Sequence, residues 1–134
     1  KTAKELSKAG IKVMTYTDSA MHNALAKSDL VLLGADAILK SGAINKIGSG
    51  AISELAYLHK KPLYIVSDSW KFSPKSVKLE ERDFHEVWKN APREIKIMNP
   101  AFESIDKKYI KGVVSEYGIL SFDEFVKRAD KTIG

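Results

Sequence analysis

The sequence of 134 residues contains no cysteine. That excludes disulfides, thiolate metal sites and a cysteine nucleophile from these residues. No apolar run approaches the ~18 residues that a helical membrane span requires, so no membrane association is expected. No signal-peptide pattern is visible either, and a cytoplasmic location is the default expectation. The three histidines, His22, His59 and His85, are too scattered to form a metal-ligand pattern; neither a metal nor a cofactor is expected. The glycine spacing matches neither the dinucleotide-binding fingerprint nor a P-loop. No methionine precedes Lys1, and the opening residues read as the middle of a helix feeding a strand. The expectation is therefore a fragment of a longer polypeptide.

What is present is ordinary globular composition, 44% hydrophobic and 29% charged. A chain of this length can bury a sizeable core, and one domain over residues 1–134 is expected. The net charge of +5, from 22 basic and 17 acidic residues, invites a nucleic-acid reading. The lysines argue against it. They are spread along the chain, with pairs at Lys60-Lys61 and Lys107-Lys108 but no basic block, and no aromatics alternate with them as a stacking platform. A solvated lysine-rich surface is the plainer reading, and direct nucleic-acid binding is not expected.

The pattern along the chain alternates helix and strand. Thr2 to Lys8 reads as a short helix ended by Gly10, then Ile11 to Tyr16 as a strand. Thr17-Asp18-Ser19 offers N-cap chemistry for a helix over Ala20 to Lys27. The apolar run Leu30 to Gly34 reads as the centre of a strand buried on both faces of a parallel sheet. A glycine-rich loop follows to Lys46, then a helix over Ile47 to Lys60. Pro62 opens a strand over Leu63 to Ser67. Strands separated in this way by helices predict a parallel sheet with right-handed crossovers. Asp68 to Pro92 loses periodicity and reads as a long excursion of the kind that is functional or covers an interface. Ile95 to Met98 reads as a short edge strand, Asp106 to Ile110 as one helical turn and Lys111 to Glu116 as another buried strand. Ser121 and Glu124 form a capping box for a final helix, Phe122 to Lys131.

The chemistry is expected where the strand at Gly34 ends and the next helix begins, because open α/β sheets place ligands at the carboxyl ends of their strands. Asp36 stands just past the buried strand, where burial would let a carboxylate exchange protons near neutrality. It reads equally well as an Asx-turn residue bonding loop N–H groups. Asn45 and Lys46 suit sugar hydroxyls or a phosphate beside the N–H groups of Ile47 and Gly48; a helix cap and a surface lysine are the plainer roles. Gly42, Gly48 and Gly50 permit close backbone approach.

The runs DLVLLGADAIL and GAINKIGSG resemble a known family, as do TYTDSAMHNAL, PLYIVSDSWKF, LEERDFHEVW and IMNPAFESIDKKYIKGVVSEYGIL. It is the C-terminal domain shared by the alpha, beta and delta subunits of translation initiation factor 2B and by aldose-phosphate isomerases. The latter include methylthioribose-1-phosphate isomerase and archaeal ribose-1,5-bisphosphate isomerase. The resemblance covers nearly the whole chain. It departs from the isomerases at Lys40-Ser41, in a loop that is slightly shorter.

The resemblance implies a three-layer, Rossmann-like α/β/α domain with a mostly parallel sheet, the C-terminal part of a longer chain. In the isomerases a cysteine and an aspartate form the catalytic pair; the aspartate of the GAD motif corresponds to Asp36, and the cysteine lies upstream of this sequence. The substrate-binding asparagine and lysine correspond to Asn45 and Lys46. Gly34, Gly48 and Lys71 complete the implied ligand-binding set. The reading favoured at this level is a factor-like subunit domain that binds a phosphorylated sugar or nucleotide monophosphate and assembles as a homo-oligomer or with related subunits. Trp70, Phe72, Phe84 and Trp88 are interface candidates, or else core residues. The alternative is the C-terminal half of a ribose-1,5-bisphosphate isomerase with Asp36 as acid–base residue, inactive without its upstream partner.

Overall fold

The computed structural model describes residues 1–75, 89–90, 92–96 and 98–133 and has an α/β architecture. Helices α1 (Thr2–Lys8) and α2 (Met21–Lys27) lead to β1 (Val31–Leu33), and α2 is entered through a 3-10 turn at Asp18–Ala20. Next come β2 (Ala37–Leu39), β3 (Gly42–Lys46), α3 (Ser49–Leu58) and β4 (Leu63–Val66). The carboxyl-terminal part supplies β5 (Phe102–Asp106), β6 (Gly112–Ser115), β7 (Gly118–Leu120) and α4 (Phe122–Ile133).

Two sheets result. The first is four-stranded, ordered β1-β4-β6-β7; β1, β4 and β6 run parallel and β7 returns antiparallel. The second is an antiparallel three-stranded sheet ordered β2-β3-β5. The sheets share one core: Leu63, Ile65 and Val113 from the first meet Ile38 and Ile105 from the second. Helix α4 adds Phe122, Phe125 and Ala129, three and four residues apart on one face, as an amphipathic helix requires. Burying a side chain the size of Phe125 contributes about 1.5–3 kcal/mol. Ser121 caps this helix by accepting the Glu124 N–H at 3.2 Å, one half of the expected capping box.

Several expectations change. Residues 30–34 do not form the doubly buried central strand. Only Val31–Leu33 pair, they pair only with β4, and Leu30 and Leu32 are exposed. The strand expected over Ile11 to Tyr16 does not form. Among the described residues none pairs with this segment in a ladder, and Ile11 and Met14 face solvent. The loop expected from Gly34 to Lys46 is instead the β2–β3 hairpin. Its register is Ala37↔Ile44 through Leu39↔Gly42, with Lys40 and Ser41 at the tip. At Gly42 a Cβ would lie 1.9 Å from the Ile105 carbonyl oxygen, so only glycine lets β3 and β5 approach. Residues 95, 96 and 98 form no strand; the pairing segment lies further on, at β5. Most of the excursion, 76–88 and 91, lies outside the described residues, with Phe84 and Trp88 in it.

Candidate functional site

The carboxyl ends of β1, β4 and β6 face one way because the strands are parallel, and β1 runs through Gly34 directly into the hairpin. The hairpin register fixes two of the candidates. Ala37 pairs with Ile44, and the Asp36 N–H also donates to the Ile44 carbonyl at 2.8 Å, so Asp36 sits just outside the paired rungs at the open mouth of the hairpin, whose other strand continues into Asn45. The departure at Lys40-Ser41 falls at the far tip of the hairpin.

Asp36 is exposed, so the burial expected of a residue past a central strand is absent. The reason is that β1 is an edge strand and the mouth is open. Among the described residues no group hydrogen-bonds the Asp36 carboxylate, so it does not close an Asx turn. The Asn45 Nδ2 donates to Ser49 Oγ at 2.9 Å, which fixes the amide against the first turn of α3 and leaves its carbonyl oxygen available. Lys46 is the last residue of β3 and is exposed.

The start of α3 is built differently from the expectation. Gly48 adopts a left-handed φ of 102° and serves as the N-cap residue, but it has no side chain with which to cap. Glu103, from β5, does so. Its Oε1 accepts the Gly48 N–H at 2.8 Å and the Gly50 N–H as well. The Ile47 N–H donates to the Ala101 carbonyl at 3.0 Å. The N–H groups of Ile47 and Gly48, expected to meet a phosphate, thus already have protein acceptors, and the anion at the helix N-terminus is the protein's own carboxylate. Sequence reading missed Glu103 because it lies 55 residues from Gly48. The only local signal was the alternation of Phe102, Ser104 and Asp106 with Glu103 and Ile105, which marks a strand.

Lys71 lies on a 3-10 turn, Ser69–Lys71, at the carboxyl end of β4. Asp68 caps that turn, accepting the Trp70 N–H at 3.0 Å. Phe72 then bridges to Ile38 of β2 and is buried, which ties the turn to the hairpin. Phe72 is therefore a core residue, whereas Trp70 is 89% exposed. Glu116, following β6, clamps the turn from the other side. Its carboxylate accepts the Ser69 N–H at 2.9 Å and the Ser69 hydroxyl at 2.9 Å. Desolvation pushes its pKa up, but the two bonds from Ser69, with its own backbone N–H and the Arg128 charge, together outweigh this. Glu116 therefore titrates below the usual glutamate range. Gly34, Asp36, Asn45, Lys46 and Gly48 thus lie on the segment from the end of β1 to the start of α3, and Lys71 lies on the turn after β4 that Phe72 ties to β2.

This geometry defines a class: an α/β domain, mostly parallel in its larger sheet, with its polar candidates at the carboxyl ends of the strands where such sheets bind ligands. The family profile of the initiation factor 2 subunit family matches residues 1–122, and the chain belongs to that family. The ribose 1,5-bisphosphate isomerase of Archaeoglobus fulgidus is 39% identical over 130 residues, covering 89% of this chain and 41% of that protein. The 5-deoxyribose 1-phosphate isomerase of Bacillus cereus is 34% identical, covering 95% and 41%. Among solved structures, the translation initiation factor eIF-2B subunit delta from Archaeoglobus fulgidus superposes with a TM-score of 0.80. It is 31% identical and covers 97% of this chain and 42% of that one. The chain spans about two fifths of the length of the curated relatives it matches.

Proposed function

We propose that this domain binds a phosphorylated sugar at the hairpin mouth and supplies one acid–base group, Asp36, of an aldose–ketose isomerase acting on a pentose phosphate. The observation that carries the reading is the bond from the Asp36 N–H to the Ile44 carbonyl, which holds Asp36 at the hairpin mouth just past the end of β1, with Asn45 the next residue after Ile44. The isomerase relatives add weight. Asn45, held by Ser49, offers its carbonyl oxygen to a sugar hydroxyl, and Lys46 and Lys71 are the cations available for phosphate. The phosphate meets these side chains rather than the α3 N–H groups, which Glu103 and Ala101 occupy.

Moving a carbonyl from C1 to C2 takes an acid and a base on opposite sides of the sugar. Asp36 is one of them; with no cysteine in these residues, the second group comes from elsewhere in the parent polypeptide. The full three-layer, Rossmann-like arrangement, a single domain over residues 1–134 and a cytoplasmic setting belong to the same reading. The second reading is a factor-like subunit that binds such a ligand without turning it over and assembles with copies of itself or related subunits. The eIF-2B delta structure and the exposed Trp70 favour it.

The test uses the polypeptide that carries this domain, with ribose-1,5-bisphosphate as substrate and ribulose-1,5-bisphosphate as product. Asp36→Asn is expected to lower turnover by about 10²–10⁴-fold while binding persists. Full turnover by that variant would remove Asp36 from the chemistry. Binding without turnover in the parent itself would leave the assembly reading.

A further inference from the structure

The lysines that look scattered in sequence converge in the fold. Parallel pairing of β4 with β6, in the register Tyr64↔Gly112, brings the residues before each strand to the same amino-terminal end of the sheet. Lys60 and Lys61 there meet Lys108 and Lys111 around a cavity of about 590 Å³, with Tyr57 and Tyr109 in its wall and, among the described residues, no carboxylate lining it. This end is opposite to the hairpin mouth.

Three features mark the cavity as more than a solvated face. Among the described residues none of the four lysines is in an ion pair, whereas Lys40 is paired with Asp130 at 3.6 Å and Lys107 with Asp123 at 3.3 Å. Tyr57 stands edge-on to Tyr109, ring centroids 5.2 Å apart and planes at 77°, yet is 60% exposed, and Lys108 Nζ lies 5.0 Å from the Tyr109 ring. Lys60 holds a φ of 57°, the one positive φ of a non-glycine residue among those described, just past the end of α3 where glycine is the usual choice. The negative end of α3 is capped: the N–H groups of His59, Lys60 and Lys61 donate to the carbonyls of Leu55, Tyr57 and Ala56.

We infer that this cleft binds a nucleoside di- or triphosphate, its phosphates among the four lysines and its ring against Tyr57. The cavity falls within the ~300–1,000 Å³ of small-molecule sites. Four flexible ammonium groups match the charge of a polyphosphate, and an exposed tyrosine face accepts any nucleobase. The inference is independent of the sugar-phosphate reading, which concerns the other end of the sheet.

Calorimetric titration of the chain with ATP and with inorganic tripolyphosphate tests it. Both are expected to bind, ATP about fivefold or more tightly through stacking. Lys60→Gln with Lys108→Gln should weaken both by about tenfold, and Tyr57→Ala should bring ATP down to the tripolyphosphate level. Lys60→Gly is the folding control: it relieves the left-handed backbone, so it should melt no lower than the parent and still bind more weakly. Three results would overturn the proposal: no ATP binding, loss of binding on Lys46→Gln with Lys71→Gln but not on the cleft variants, or oligo(U) affinity that rises with length and displaces ATP, which would make the cleft an RNA surface.

Discussion

The two ends of the parallel sheet are built on opposite electrostatic plans. At the carboxyl end, acidic side chains accept backbone N–H groups: Glu103, from β5, at the start of α3, and Glu116, from beyond β6, together with the local Asp68, at the turn after β4. At the amino end, lysines gather beside the capped terminus of α3 around a cleft that no carboxylate lines among the described residues; the Asp106 carboxylate, outside the cleft lining, accepts the Lys108 N–H. A helix dipole alone would attract an anion to the first end and a cation to the second. The protein meets both preferences from within, with the Glu103 carboxylate at the first end and backbone N–H groups at the second, so what each end presents is set by the groups left over. Those are Asp36, Asn45 and Lys46 at one end and four lysines with a tyrosine face at the other.

The change with the largest expected effect disrupts both ends at once. β5 runs from Glu103 to the turn that presents Lys108, and it reaches β3 only because Gly42 lacks a side chain. Gly42→Ala should destabilise the fold by about 3 kcal/mol or prevent folding, as overpacking against backbone does. Urea denaturation checks this; a midpoint equal to the parent's would mean that the hairpin can shift without loss.

A smaller change isolates the carboxyl end. Glu103→Ala leaves the Gly48 and Gly50 N–H groups without their acceptor and should cost about 1–3 kcal/mol. It also vacates an anion position at a helix N-terminus. Added sulfate should therefore raise the melting temperature of the variant more than that of the parent. Equal sulfate responses would show that Glu103 does not occupy the position an external anion would take. Glu103→Gln, which keeps an acceptor oxygen and loses only the charge, should fall between the two in stability.

Much of this was legible in sequence, and what was not has one physical cause. Helices α1, α2, α3 and α4 and strands β4 and β6 follow from local periodicity and caps, as at Ser121 with Glu124. Asp36 and Asn45 could be put forward as candidates because the strand, the glycines and the family pattern are contiguous. The hairpin was read as a loop because Ala37–Leu39 and Gly42–Lys46 are short, and their pairing is completed by β5 more than 50 residues later. Glu103 as the cap of α3, and the meeting of Lys60 and Lys61 with Lys108 and Lys111, depend on strand register across that same separation. Periodicity within a window carries no such information. Asp36 was expected to be buried because a run such as Leu30–Gly34 looks the same whether its strand is central or, as here, at an edge with Leu32 exposed.

The smallest expected effect sharpens the comparison by titrating one end alone. Glu116 joins the turn carrying Lys71 to the end of β6, and its pKa is lowered in the folded state. A carboxylate with a depressed folded value contributes stability in full above its unfolded value and loses it as pH falls through the lowered one. Because the group is exposed, solvent screening keeps the contribution small. The parent should therefore lose stability toward acid pH, below the ordinary glutamate range, slightly more steeply than Glu116→Gln does. Denaturation midpoints from neutral pH down to pH 3 would show the two curves converging at the acid end. Among the described residues the lysine cleft has no carboxylate in its lining, and it should contribute nothing to that difference. If Lys60→Gln with Lys108→Gln altered the acid limb as much as Glu116→Gln, the two ends would not be electrostatically separate.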